Sequence, residues 1–91
     1  MRIEFDPDKD ASNIAKHGVS LALVSRLDWA AALVWSDARR AYGEVRLCAL
    51  APLDGRLYFV AFVERSDVRR PISVRKANSR EVQRYAQDDH D

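Results

Sequence analysis

The chain is poor in the residues from which many functional sites are built. It has one cysteine, Cys48, two histidines, His17 and His90, and three scattered glycines. A single cysteine excludes an internal disulfide framework and suits a reducing, cytoplasmic setting. Cys48 lies inside an apolar run and reads as a small core hydrophobe, not a nucleophile. No Cys/His spacing resembles a zinc site, no glycine-rich loop can cradle phosphates, and no Ser and His fall in a recognisable catalytic pairing. No apolar run approaches the ~18 residues of a membrane span, and no leader pattern opens the chain. Neither metal nor cofactor is expected, and no membrane partner.

What is present is charge, unevenly spread. The net charge is only +1, with 32% charged and 47% hydrophobic residues, as befits one globular domain over residues 1–91. Between Arg65 and Arg84, however, seven cations (Arg65, Arg69, Arg70, Arg75, Lys76, Arg80, Arg84) face two acids, Asp67 and Glu81, a local +5. Residues 88–91 form an acidic end that is expected to be a disordered tail. Such polarisation attracts an anionic ligand, although an arginine-rich solvated edge has the same composition.

The local grammar predicts an α+β domain in the order β-α-α-β-β-β-β-α. Arg2-Ile3-Glu4-Phe5 alternates as a short strand. Asp6-Pro7 opens a helix, closed by Lys16-His17-Gly18, with Ile14 and nearby alanines as its apolar stripe. Ser20 caps a second helix through Leu21, Val24 and Leu27. Strands follow at 32–35, 44–50, 57–63 and 72–74. Asp54-Gly55 is the strongest hairpin signal, and Asn78-x-x-Glu81 forms a capping box before the last helix. The strand from Leu57 to Val63 is apolar on both faces and belongs at the centre of the sheet. Pro71 belongs at a strand's first residue or on an edge. The expected product is an antiparallel-rich sheet with the helices packed on one side.

Alternation then assigns side chains to faces. Glu44 and Arg46 share one face, as do Ser73 and Arg75, and Arg65 reaches the same surface. A carboxylate among guanidinium groups can hold a phosphodiester and stabilise charge on it. A ladder of cross-strand ion pairs on a wet face is the structural alternative. His17 is either a helix C-terminal cap or a substrate contact. Tyr42 and Tyr85 either stack on a nucleobase or pack on the sheet.

Four blocks carry a family resemblance. They are Phe5-Asp6-x-x-Lys9-x-x-x-Asn13-x-x-Lys16-His17-Gly18-Val19; Asp37-x-Arg39-x-x-Tyr42-Gly43-Glu44-x-Arg46; Asp54-Gly55-Arg56 with the strand ending Glu64-Arg65; and Arg70-x-Ile72-Ser73-x-Arg75-Lys76-Ala77 with Arg80-Glu81 and Tyr85. Together they resemble the BrnT-type ribonuclease toxins of bacterial type II toxin–antitoxin pairs. Pro71 departs from the pattern at a usually aliphatic position, and Ala51 at one where glycine is common. The resemblance implies a compact RelE-like fold and a cytoplasmic endoribonuclease that blocks translation. It also implies neutralisation by a BrnA-type ribbon-helix-helix antitoxin in a complex of two toxins and two antitoxins. That complex represses its own operon, meeting DNA only through the antitoxin.

On this reading Arg75 and Arg65 stabilise charge as the RNA 2′-hydroxyl attacks its own phosphodiester, giving a cyclic phosphate. Glu44 or His17 is the base. Arg46, Lys16, Lys76, Tyr42 and Tyr85 contact the substrate. The rival reading is a non-catalytic module whose arginines dock an antitoxin in a co-repressor. Direct DNA binding is weakest, because no recognition helix with a positive face is evident.

Overall fold

The computed structural model describes residues 2–37 and 45–88. The elements are β1 (Arg2–Ile3), α1 (Pro7–His17), 3₁₀ segments at Leu21–Arg26 and Trp29–Ala31, β2 (Leu33–Asp37), β3 (Arg46–Leu53), β4 (Arg56–Arg65), β5 (Val68–Lys76) and α2 (Ser79–Asp88). The strands form one sheet in the order β1-β5-β4-β3-β2, antiparallel except where β1 runs parallel to β5. The α+β class and the central place of β4 agree with the sequence.

The caps and the marked turn form as their chemistry dictates. Asp6 Oδ1 accepts from the Asp8 amide at 2.8 Å, and Gly18 closes α1 at φ 71°. Asp54 and Gly55, at φ 51° and 78°, make the tight β3–β4 turn. Asn78 and Glu81 exchange side-chain-to-backbone hydrogen bonds at 2.8 and 2.9 Å, completing the capping box.

The second helix is a correction: Leu21–Arg26 is 3₁₀, not α. Leu21, Val24 and Leu27 recur every third residue, which suits three residues per turn and aligns all three against the sheet, where they are buried. They pack with Ala49, Ala51, Val60, Phe62 and Val74 to form the core, and Trp29 meets Phe62 edge-on at 5.3 Å.

Helix α1 is held by polar groups, contrary to the expected apolar stripe. Ile14 is 46% exposed and Ala11 and Ala15 are exposed, whereas Asn13 is buried. Strand β1 ends opposite Arg69, so among the described residues β5 has no strand neighbour on that side farther along. There the Asn13 amide takes the neighbour's place, accepting from Val74 N (3.1 Å) and donating to Val74 O and Val19 O (both 2.8 Å). Asp10 Oδ1 accepts from the Ser20 hydroxyl and the Leu21 amide, tying α1 to the 3₁₀ turn.

One expectation is met in part and another changes. Pro71 is not the first residue of β5 but takes the edge alternative: it lies past the point where β1 ends, with its side chain buried and Phe62 across from it. A β-bulge lies beside it: Ser73 pairs with Ala61 and Pro71 with Phe62, leaving Ile72 without a partner of its own. The ladder is already broken there, so the missing N–H costs little. The helices also flank both faces of the sheet. Strand partners share a face, so Trp35, Cys48, Leu50, Phe59, Ala61, Ser73 and Arg75 lie opposite the core face, and α2 contacts that second face. A central strand apolar on both sides needs cover on both sides.

Candidate functional site

Strand register, more than the sequence spacing, decides which cations meet on this second face. Arg46 on β3 and Arg70 on β5 both lie directly across from Val63, one on either side. Arg65 follows two residues along β4, on the same face. Three guanidinium-bearing positions therefore surround Val63. Beside them is a hollow of about 410 Å³ lined by Glu4, Val63, Arg65, Ser66, Val68 and Arg70. Glu4 is placed there by the hydrogen bond from its amide to Arg69 O, at 3.0 Å, which carries the line of β1 past Ile3. Its carboxylate is shared: Oε2 lies 3.2 Å from Arg2 and Oε1 4.0 Å from Arg70.

Arg75 occupies a different place. It lies across from Phe59, six residues along β4 from Arg65, which sets their backbones about 20 Å apart. Its guanidinium stacks over Phe59 at 4.4 Å and grips Glu81 with two parallel hydrogen bonds of 2.8 and 2.9 Å. The hydrogen bond to Glu81 holds the Arg75 pKa above its ordinary value, against the opposing effect of burial. Burial pushes the Glu81 carboxyl upward, but hydrogen bonds from Arg75 and the Asn78 amide, with the charges of Arg75 and Arg84, outweigh it and leave the pKa lowered. Arg84 stacks over Trp35 at 4.0 Å, and Tyr85 donates its hydroxyl to Ala31 O at 2.6 Å.

The residues singled out in the sequence thus divide. Arg46 and Arg65 share the Val63 surface, with Ser73 on the same face nearer Arg75. Arg75 and Arg65 stand at separate ends of this face, six residues apart along β4. Lys16 and His17 are exposed in the last turn of α1, about 15 Å of helix rise from the Pro7 end that follows Glu4. Lys76 is exposed at the end of β5, and Tyr85 is on α2. Tyr42 and Glu44 lie outside the described residues.

Sequence reasoning passed over Glu4 and Arg70. Nothing in the short Arg2–Phe5 alternation marks Glu4 as a site residue. Arg70 required recognising that Ser66-Asp67 is a tight turn joining two long strands, and neither residue is the glycine that marks such turns. Its neighbour Arg69 sits on the core side, over Trp29 at 4.2 Å and Phe62 at 5.2 Å, with Nε donating to Glu64 at 3.2 Å.

The model of the ribonuclease toxin family BrnT, of type II toxin–antitoxin systems, matches residues 5–81. That span is most of the chain and contains both arginine groups. The chain belongs to the BrnT family. No curated protein matches it. As a BrnT-family member it is a ribonuclease toxin of the type II class, which implies an RNA target and an antitoxin partner. Among the described residues, no helix is long and apolar enough to cross a membrane.

Proposed function

We propose that this BrnT-family chain is a cytoplasmic, metal-independent endoribonuclease that blocks translation. A BrnA-type ribbon-helix-helix antitoxin neutralises it in a complex of two toxins and two antitoxins that represses its own operon. The observation that carries the enzymatic reading is the grouping of Arg46 and Arg65 around Val63, on the face turned away from the core. Guanidinium groups bind phosphodiester oxygens with two parallel hydrogen bonds and favour the extra charge of the transition state. RNA supplies its own nucleophile, the 2′-hydroxyl, so the reaction needs a base, charge stabilisation and a proton for the leaving oxygen. Arg65 and Arg46 stabilise charge. Arg75, Lys76, Lys16 and His17 contact the strand beyond the reacting phosphate, while Tyr42 and Tyr85 stack on bases.

Purified protein incubated with RNA in excess EDTA tests this reading. Cleavage leaving cyclic phosphate and 5′-hydroxyl ends is expected, with Arg65→Ala losing at least 100-fold in rate. Intact RNA, or activity only on adding a divalent ion, would overturn it. Growth arrest on expression without the antitoxin separates the enzyme from a harmless co-repressor module.

A further inference from the structure

We infer that the hollow at the β4–β5 turn is the seat of the scissile phosphodiester, with Glu4 as the base and Arg70 beside Arg65 as the grip on the phosphate. The inference rests on the ribonuclease reading and assigns that reaction to two further residues.

The size of the hollow, about 410 Å³, falls within the range of small-ligand pockets and admits one phosphodiester with its flanking sugars. Its lining divides by chemistry. Val63 and Val68 form an apolar floor against which a ribose can lie, and Arg65 and Arg70 supply donors for the non-bridging oxygens. The carboxylate of Glu4 is asymmetric. Oε2 is engaged by Arg2 at 3.2 Å, while the 4.0 Å between Oε1 and Arg70 is beyond hydrogen-bond distance. Oε1 therefore has accepting capacity beside the hollow, and its side chain is 47% exposed, open to substrate.

The step balances as follows. The O2′–P bond forms as the 2′-hydroxyl proton passes to Glu4 Oε1. Charge on the phosphoryl oxygens is taken up by Arg65 and Arg70. The P–O5′ bond breaks, the departing 5′ oxygen takes a proton from water, and the resulting hydroxide recovers the proton from Glu4. A cyclic phosphate and a 5′-hydroxyl remain.

The test uses the full chain, an RNA oligonucleotide, and the same oligonucleotide with a 2′-deoxy sugar at the cleavage site as a non-reacting probe. Glu4→Gln is expected to lower kcat at least 100-fold while affinity for the probe changes less than about threefold. Arg70→Ala is expected to weaken probe binding about tenfold and to lower kcat/KM further, with Arg70→Lys restoring part of the binding. Unfolding temperatures confirm that each variant is folded; if Glu4→Gln is not, Glu4→Asp, which retracts the oxygen but keeps the charge, is expected to lose about tenfold in kcat. Parent-like turnover by Glu4→Gln, a loss confined to affinity, or a larger kcat loss for Glu44→Gln would remove Glu4 as the base. Parent-like probe binding by Arg70→Ala would remove the hollow as the phosphate site. A parent protein that cleaves no RNA overturns the ribonuclease reading and Glu4's role together, whereas the binding arm still decides the hollow.

Discussion

Arg69 and Arg70 are adjacent in the chain and serve opposite ends. Arg69 is stacked on Trp29 and Phe62 and paired with Glu64, its Nη1 buried without a hydrogen-bond partner; Arg70 is exposed at the hollow. Arg69→Ala is expected to cost roughly 1–2 kcal/mol of stability, seen as a lower urea midpoint, since its cation–π contacts are partly desolvated. Asn13→Ala should cost more, about 2–4 kcal/mol in the same measurement, because it strands the Val74 amide and carbonyl and the Val19 carbonyl at once. Glu81 makes a pH prediction. Its carboxyl is held below its ordinary value in the folded state, so its contribution is fully present above the unfolded value of about 4.3 and is lost as pH falls through the folded value. Glu81→Gln should therefore lower the unfolding temperature at neutral pH and flatten this part of its fall as the pH drops below the unfolded value. The motif residues were visible in the sequence; their partners were not. Asn13 belongs to the opening block, yet nothing in a linear string says that it will close a sheet edge 61 residues away.

Helix α2 shows what an element can be without a core of its own. It has a complete capping box and no buried residue, and Val82 is 48% exposed. Its anchors are the Arg75–Glu81 pair, the Arg84–Trp35 stack and the Tyr85–Ala31 hydrogen bond. Local opening is cheapest where few apolar contacts hold a segment, so its amides should exchange hydrogen faster than those of β4. Parity between the two in a hydrogen-exchange experiment would contradict this. Elements with strong local chemistry, the Asp6 and Asn78 caps and the Asp54-Gly55 turn, were legible from sequence. The Ser66-Asp67 turn was not, because Ser66 reaches φ 55° without being glycine or asparagine. A three-residue spacing satisfies both helical periods, so the sequence alone does not separate this 3₁₀ turn from an α-helix.

For the whole molecule, the separation of cations matters more than their number. A net charge of +1 conceals a face on which Arg46, Arg65 and Arg70 gather at one end while Arg75 stands about 20 Å away. A stacked strand advances about 3.4 Å per nucleotide, so about six nucleotides cover that distance, and fewer when splayed. Affinity for a non-reacting oligonucleotide should therefore fall with salt, with a log–log slope of about −2 if the three grouped arginines each displace a counterion. Arg70→Ala should shift that slope by about 0.7 toward zero, and an unchanged slope would exclude it from phosphate contact. Polarity along the chain signalled a basic surface; only the pairing of strands shows that it is divided.

The unpaired Ile72 has a consequence for the identity of that surface. In an uninterrupted strand, every second side chain counted back from Ser73 faces the same way, which would send Arg69 outward and bury Arg70. One surplus residue reverses the count, so Arg70 joins Ser73 and Arg75 while Arg69 turns under Trp29. The irregularity at Pro71 thus works as a phase shift, and removing it would exchange the fates of two neighbouring arginines.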